Sequence, residues 1–256
     1  MPYIERNSVK IYYEDHGAGP LILLSHGFGA TSAMWGGQVE EFSGRYRLIT
    51  WDMRGHGKSD SPTDASLYSE AETLADMGAI LDEAGVSKAV VGGLSLGGYM
   101  SLALHRAHPD RVTGLLLFDT GPGYRNPDGR EAWNERAERR ALSFEKNGLA
   151  SAKKGGREVR MSRHTSAQGL AHAARGMLKQ FDSSVIDSMP GISVPTLVLI
   201  GELDTRFMAA TDFMAAKIPG ATKVVIPDAG HAANIDQPEQ FNEAVATFLN
   251  RLGSWS

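Results

Sequence analysis

Six stretches of this sequence share one form: a continuous apolar, often β-branched run that ends in a glycine-rich or polar loop. They are PLILLSHGFG (20–29), YRLITWDMRGHG (46–57), KAVVGGLSLGG (88–98), VTGLLLFDTGPG (112–123), VPTLVLIGELD (194–204) and TKVVIPDAGH (222–231). A run that is apolar at every position has no face to offer water, so each predicts a strand covered on both sides. Helical patterns lie between most of them. SEAETLADMGAILDEAG (69–85) places Leu74, Met77, Ile80 and Leu81 on one face and closes on Gly85. A second pattern continues from the glycines after Ser95 and stops before Pro109, and a third begins at Pro238 with Asp236 upstream as a candidate cap. This alternation predicts an α/β chain: a mostly parallel central sheet with helices on both faces. Reactive groups in such sheets collect in loops at the carboxyl ends of the strands. The segment YIERNSVKIYYEDHG (3–17) alternates apolar and polar residues instead, which predicts strands or a hairpin with one solvated face.

One region breaks the alternation. Residues 122 to about 190 carry helical patterns and no strong strand, which predicts a helical insertion dividing the core into 1–121 and 191–256. From Tyr124 to His164 there are 11 Lys/Arg and 6 Asp/Glu, so this segment is +5 in a chain whose net charge is −4. Solvated helix faces with supporting pairs such as Glu135 with Arg139 account for that excess. The alternative reading is a basic lid over the site, selecting substrates with a carboxylate or phosphate.

Composition removes several classes of function. The chain has no cysteine, so disulfides, thiolate metal sites and a cysteine nucleophile are excluded. A mildly acidic balance gives no footprint for nucleic acid. No apolar run approaches a membrane span, and the N-terminal residues show no signal-peptide pattern, so a cytoplasmic protein without a membrane partner is expected. No spaced His/carboxylate motif suggests a metal, and GGLSLGG lacks the trailing lysine of a phosphate-binding loop. No cofactor is therefore expected. Oligomeric state is not legible.

The chemistry centres on Ser95, set among glycines at the end of an apolar run. Gly and Ser are common in plain turns. They also suit a nucleophile held on a sharp strand-to-helix turn, where only small neighbours fit. A serine hydroxyl needs a base to take its proton and a third group to orient that base. Of the eight histidines, His231 follows a candidate strand in a small-residue context ahead of the last helix, and Asp204 ends the preceding strand. The order Ser95, Asp204, His231 is that of the nucleophile-elbow arrangement. Developing oxyanion charge would be met by the N–H of Leu96, at the start of a helix, and by the N–H of Phe28, freed by Gly27 and Gly29. The Phe28 side chain would then border the acyl pocket.

Four strings in order, SHGFG (25–29), DMRGHGKSD (52–60), GLSLGG (93–98) and the pair GELD (201–204) with AGH (229–231), make the chain resemble the α/β-hydrolase-fold superfamily. The resemblance is to its small bacterial esterase, enol-lactonase and non-haem haloperoxidase-like group. It implies an oxyanion loop, a structural turn, a nucleophile elbow, and an acid and base, with the insertion standing where the family carries its cap. It also implies structural roles for His26 and His56, and a turn-stabilising role for Asp52 and Arg54. Some relatives place the acid after an earlier strand, which makes Asp119 in LLLFDTGPG an alternative to Asp204. Trp35, Tyr99, Trp133, Met161, Phe207 and Met208 are candidates for the substrate pocket or, equally, for core packing.

The expected function is hydrolysis of a small-molecule carboxylic ester, or a related lactone or thioester, through an acyl-enzyme. The same site could serve C–C bond hydrolysis, a lyase step or perhydrolysis. A ligand-binding receptor with slow turnover is the alternative of another class.

Overall fold

The strands are β1 (Tyr3–Arg6), β2 (Val9–His16), β3 (Leu21–Ser25), β4 (Arg47–Trp51), β5 (Ala89–Leu94), β6 (Val112–Phe118), β7 (Thr196–Gly201) and β8 (Thr222–Ile226). In this computed structural model, which describes residues 3–252, they form a single sheet of order β1-β2-β4-β3-β5-β6-β7-β8. β1 and β2 form an antiparallel hairpin and β2 pairs antiparallel with β4. All pairings from β4 to β8 are parallel.

The helices are α1 (Gly36–Phe42), α2 (Glu70–Glu83), α3 (Leu96–Ala107), α4 (Pro127–Asn147), α5 (Arg157–Arg160), α6 (Ala167–Ala173), α7 (Ser184–Ser188), α8 (Thr205–Lys217), α9 (Ala233–Asp236) and α10 (Pro238–Arg251). Side chains alternate across each strand, so the apolar runs feed two cores. Leu23, Val91, Leu115 and Leu117 pack with Met77 and Ile80 of α2 and Met100 of α3. Ile22, Leu24, Val90, Leu116 and Phe118 pack on the other face with Phe42 of α1 and Phe241 and Phe248 of α10. α2 begins at Ser69, whose hydroxyl accepts from the Glu72 N–H, a cap that fixes its start. Among the described residues, no helix is long and apolar enough to cross a membrane.

Two local expectations change. β8 is the edge strand and alternates exposed or half-buried residues with more sheltered ones, because no further strand or helix covers it fully. Asp236 does not cap α10; its Oδ2 accepts from the Gly230 N–H at 3.0 Å and so braces the loop that carries His231.

The strand order reverses between β3 and β5, so the loops after these two strands diverge and leave a crevice at their carboxyl ends. Residues 122–190 connect β6 to β7 and form α4 to α7 on that side. α4 is tied to the segment after α6 by Trp133 Nε1–H to the Leu178 carbonyl (2.7 Å) and by a two-way Asn134–Gln180 pair. The core and this segment meet through His164, which accepts the Gly57 N–H at Nδ1 (3.1 Å) and donates from Nε2 to the Gly29 carbonyl (2.8 Å).

The β5–α3 turn is tight against β3. A Cβ on Gly97 would stand 2.2 Å from the Ser25 carbonyl oxygen, and one on Gly93 2.3 Å from the same atom. Neither neighbour is a flexible side-chain tip, so the backbone would have to move. Gly97→Ala is expected to cost about 3 kcal/mol and lower Tm by roughly 6–12 °C. A thermal melt within about 2 °C of wild type would show that the turn has room the geometry denies it.

Candidate active site

Ser95 stands between β5 and α3 with φ 53° and ψ −111°, a conformation costly for any residue with a side chain. Three hydrogen bonds hold it there. Its N–H donates to the Phe118 carbonyl (2.9 Å), and its own carbonyl accepts from the Thr120 hydroxyl (2.6 Å) and the Tyr99 N–H (3.0 Å). The turn brings Ser95 to the floor of a cavity of about 640 Å³, whose walls also include Phe28, Phe207 and His231.

His231 follows β8 and Asp204 follows β7. The Nδ1–H of His231 donates to Asp204 Oδ2 at 2.6 Å, which leaves Nε2 free of the acid. Asp204 is almost fully buried and the imidazole is 21% exposed, so the pair has a dry end and a wet end. The Phe207 ring stacks on His231 with centroids 5.3 Å apart and 21° between the planes. That contact restrains the ring's rotation.

Asp119 also ends a strand and lies beside this pair. One polar atom from each of Asp119, Asp204 and His231 falls within 4.8 Å of the others, a spacing that could also hold a metal ion. Oδ1 of Asp119 accepts from the Gly201 N–H at 2.8 Å, whereas its buried Oδ2 has no partner among the described residues. Burial pushes the Asp119 carboxyl well above the usual carboxylate range, and the charges of Asp204 and Asp236 push it the same way. The two aspartates are thus held in different ways: Asp204 accepts a charge-assisted bond from His231, and Asp119 favours its neutral form.

The backbone N–H of Phe28 has no acceptor among the described residues, and that of Leu96 is an orphan donor of the first turn of α3. Gly27 lies under Ser95, a Cβ there coming within 3.6 Å of the serine Cβ. Behind this loop, His26 commits both ring nitrogens to backbone: Nδ1–H to the Gly27 carbonyl (2.7 Å) and Nε2 from the Met53 N–H (2.9 Å). Burial pulls its pKa down to about 4, which keeps the ring neutral. His56 is buried next to it, ring centroids 4.9 Å apart, and is likewise pushed down by burial. Asp52 accepts the Ser32 and Lys58 N–H groups, and Arg54 makes a paired contact with Asp76 of α2.

A second, smaller cavity of about 270 Å³ adjoins the first at Ser95 and is mainly apolar, with Leu96, Tyr99 and Phe213 in its wall. Trp133 and Phe207 line both. Trp35 lines neither: it is fully buried against Phe118 on the other face of the sheet, where its bulk fills the α1–α10 core. Met161 also lines neither, being 47% exposed on the outside of the helical segment, and Met208 is absent from both walls. The residues that sequence reasoning missed are Arg140, Arg206 and Tyr124, all in the larger cavity's wall. The density of basic residues in 124–164 signalled Arg140 only as part of a patch; nothing local signalled Arg206.

These features define a class, the α/β proteins that carry a serine, an acid and a histidine on three strand-end loops of one sheet. The alpha/beta hydrolase family model matches residues 21–244, and the chain belongs to that family. It is 31% identical to a thermophilic esterase from Thermogutta terrifontis, solved with malate bound, over 95% of this chain and 94% of that one, with a TM-score of 0.85. It is 28% identical to the enol-lactonase from Burkholderia xenovorans LB400 over 97% of this chain and 100% of that one, with a TM-score of 0.77. Among curated sequences, 3-oxoadipate enol-lactonase 1 of Acinetobacter baylyi is 29% identical over 91% of this chain and 90% of its own length.

Folding raises the Asp119 pKa above its ordinary 3.8, so the stability it contributes is present below that pH and lost as pH rises through the folded-state value. Asp119→Asn removes this ionisation. Its Tm relative to wild type is expected to improve as pH is raised from about 4 to about 8. A Tm difference that stays constant across that range would show that Asp119 ionises alike in both states.

Proposed function

We propose that the protein hydrolyses a carboxylic ester or lactone through an acyl-enzyme formed on Ser95. The reading is carried by one observation: the strained Ser95 turn opens into the same cavity as a histidine already hydrogen-bonded to a buried aspartate. Names of relatives, an esterase and two enol-lactonases, agree with it.

In this mechanism the free Nε2 of His231 takes the Ser95 proton as Oγ attacks the acyl carbon. Asp204 holds the imidazole in the Nδ1–H tautomer and stabilises the imidazolium that follows. The Phe28 and Leu96 N–H groups receive the oxyanion, each worth about 3 kcal/mol of barrier. His231 then returns the proton to the leaving alcohol and activates the water that frees the acid. The reaction needs no cofactor from this set of residues. The helical segment 122–190 acts as a cap that shapes the substrate cavity from above.

A panel of p-nitrophenyl esters tests this. Ser95→Ala is expected to lose at least about 10³-fold in kcat with its fold intact by circular dichroism. Asp204→Asn is expected to lose orders of magnitude, and Asp119→Asn far less, because of the two aspartates it is Asp204 that is hydrogen-bonded to His231. Full activity in Ser95→Ala would end the mechanism. A larger loss at Asp119 than at Asp204 would reassign the acid.

A further inference from the structure

Four cationic side chains, Arg136, Arg140, Lys154 and Arg206, line the larger cavity over Ser95, with Glu158 as its one acidic lining residue. Among the described residues, none of the four has a hydrogen-bond or ion-pair partner. Several other cations on the same helical segment are paired: Arg175 and Lys179 grip Glu138, Arg139 pairs with Glu135, and Arg125 pairs with Asp187. Lys146, Lys153 and Arg163 have no such partner among the described residues, but they line neither cavity. What sets the four apart is that they share the wall of one cavity over Ser95.

The Arg140 guanidinium lies 5.5 Å from the centre of the Phe28 ring, which fixes it beside the loop bearing the Phe28 N–H. Its side chain is exposed to the cavity, and the partial desolvation there lowers its pKa from the ordinary value; the like charge of Arg206 adds to the effect and Glu158 opposes it. Two guanidinium groups in the wall of one cavity are stabilised by an anion between or beside them. Arg206 sits at the junction, in the walls of both cavities, two residues after Asp204. The apolar lobe on its other side offers space for an uncharged chain.

Resting on the ester-hydrolase reading of this site, we infer that the substrate is an anionic ester, its carboxylate or phosphate held by Arg140 and Arg206 while an apolar part fills the smaller lobe. Guanidinium forks match either oxyanion. The cations also steer such a substrate toward the cavity, an effect that salt weakens.

The test compares two matched ester pairs: p-nitrophenyl hydrogen glutarate with p-nitrophenyl pentanoate, and acetylated hydroxybutyrate with butyl acetate. These place the charge on the acyl and alcohol sides in turn. Wild type is expected to favour the anionic member of at least one pair by about 10-fold or more in kcat/KM, the preference shrinking as ionic strength rises. Arg140→Gln and Arg206→Gln are each expected to reduce that ratio about 10-fold, chiefly through KM. Arg139→Gln, on the outer face of α4, is expected to leave the ratio unchanged. Inhibition by glutarate and by glycerol phosphate distinguishes the two oxyanions. Absence of any anionic preference in both pairs, or arginine variants that slow both members equally, would overturn the inference while leaving ester hydrolysis standing. If no ester is turned over, calorimetric titration of glutarate and of glycerol phosphate into wild type and the double arginine variant decides the site by itself. Binding that the double variant loses supports the anion site with the hydrolase reading gone, and no binding to wild type removes both.

Discussion

A single strained residue organises the carboxyl-end face of this sheet. Ser95 has positive φ at the end of a buried strand, and it keeps that conformation because its N–H and C=O are claimed by β6 and by the loop after it. The same contacts link the β5–α3 turn to the strand that ends in Asp119. Gly93 and Gly97 let this turn press against the Ser25 carbonyl, so the loop after β3, with the Phe28 N–H, is held close to Ser95. The positions of two neighbouring loops therefore depend on one turn, and the turn depends on glycines that have no Cβ.

Charge is distributed unevenly around that turn. Beneath it lie groups kept neutral by burial: His26, His56 and the carboxyl of Asp119. To one side, Asp204 is buried but bonded to His231, so its negative charge has a partner at 2.6 Å. Above it, the larger cavity collects four cations against one acidic residue, Glu158. A serine placed between neutral ground and a positive roof is in surroundings that favour negative charge above it rather than below it.

His164 ties the helical segment to this arrangement. Its two ring nitrogens take one backbone group from the loop after β3 and one from the loop after β4. The Gly29 carbonyl it holds is one residue beyond Phe28, so the segment that roofs the cavity also restrains the loop that carries a candidate oxyanion donor. Nothing in the local sequence around His164 marks this role, because it depends on two loops more than 100 residues away.

The order of strands and helices was legible because solvent writes it locally: runs apolar on both faces must be buried on both faces, α2 begins at a capping serine and closes on a glycine, and α3 stops before a proline. Ser95, Asp204 and His231 could be singled out for a similar reason, each being a polar group at the end of an apolar run. What the chain alone did not decide was distance and direction. Asp119 and Asp204 look alike in sequence, and only the packing of β6 beside β7 puts one of them on His231 and leaves the other without a partner for Oδ2. Trp35 and Met161 were as plausible in a pocket wall as Trp133 and Phe207, until the layering sent the first into the far core and the second to the outer surface. The basic character of 124–164 was plain from composition, but which of its cations meet carboxylates and which face the cavity depends on how α4 is rotated over the sheet. Burial pattern is a property of neighbouring residues along the chain; a site is a property of residues brought together across it, and that was settled only by tertiary structure.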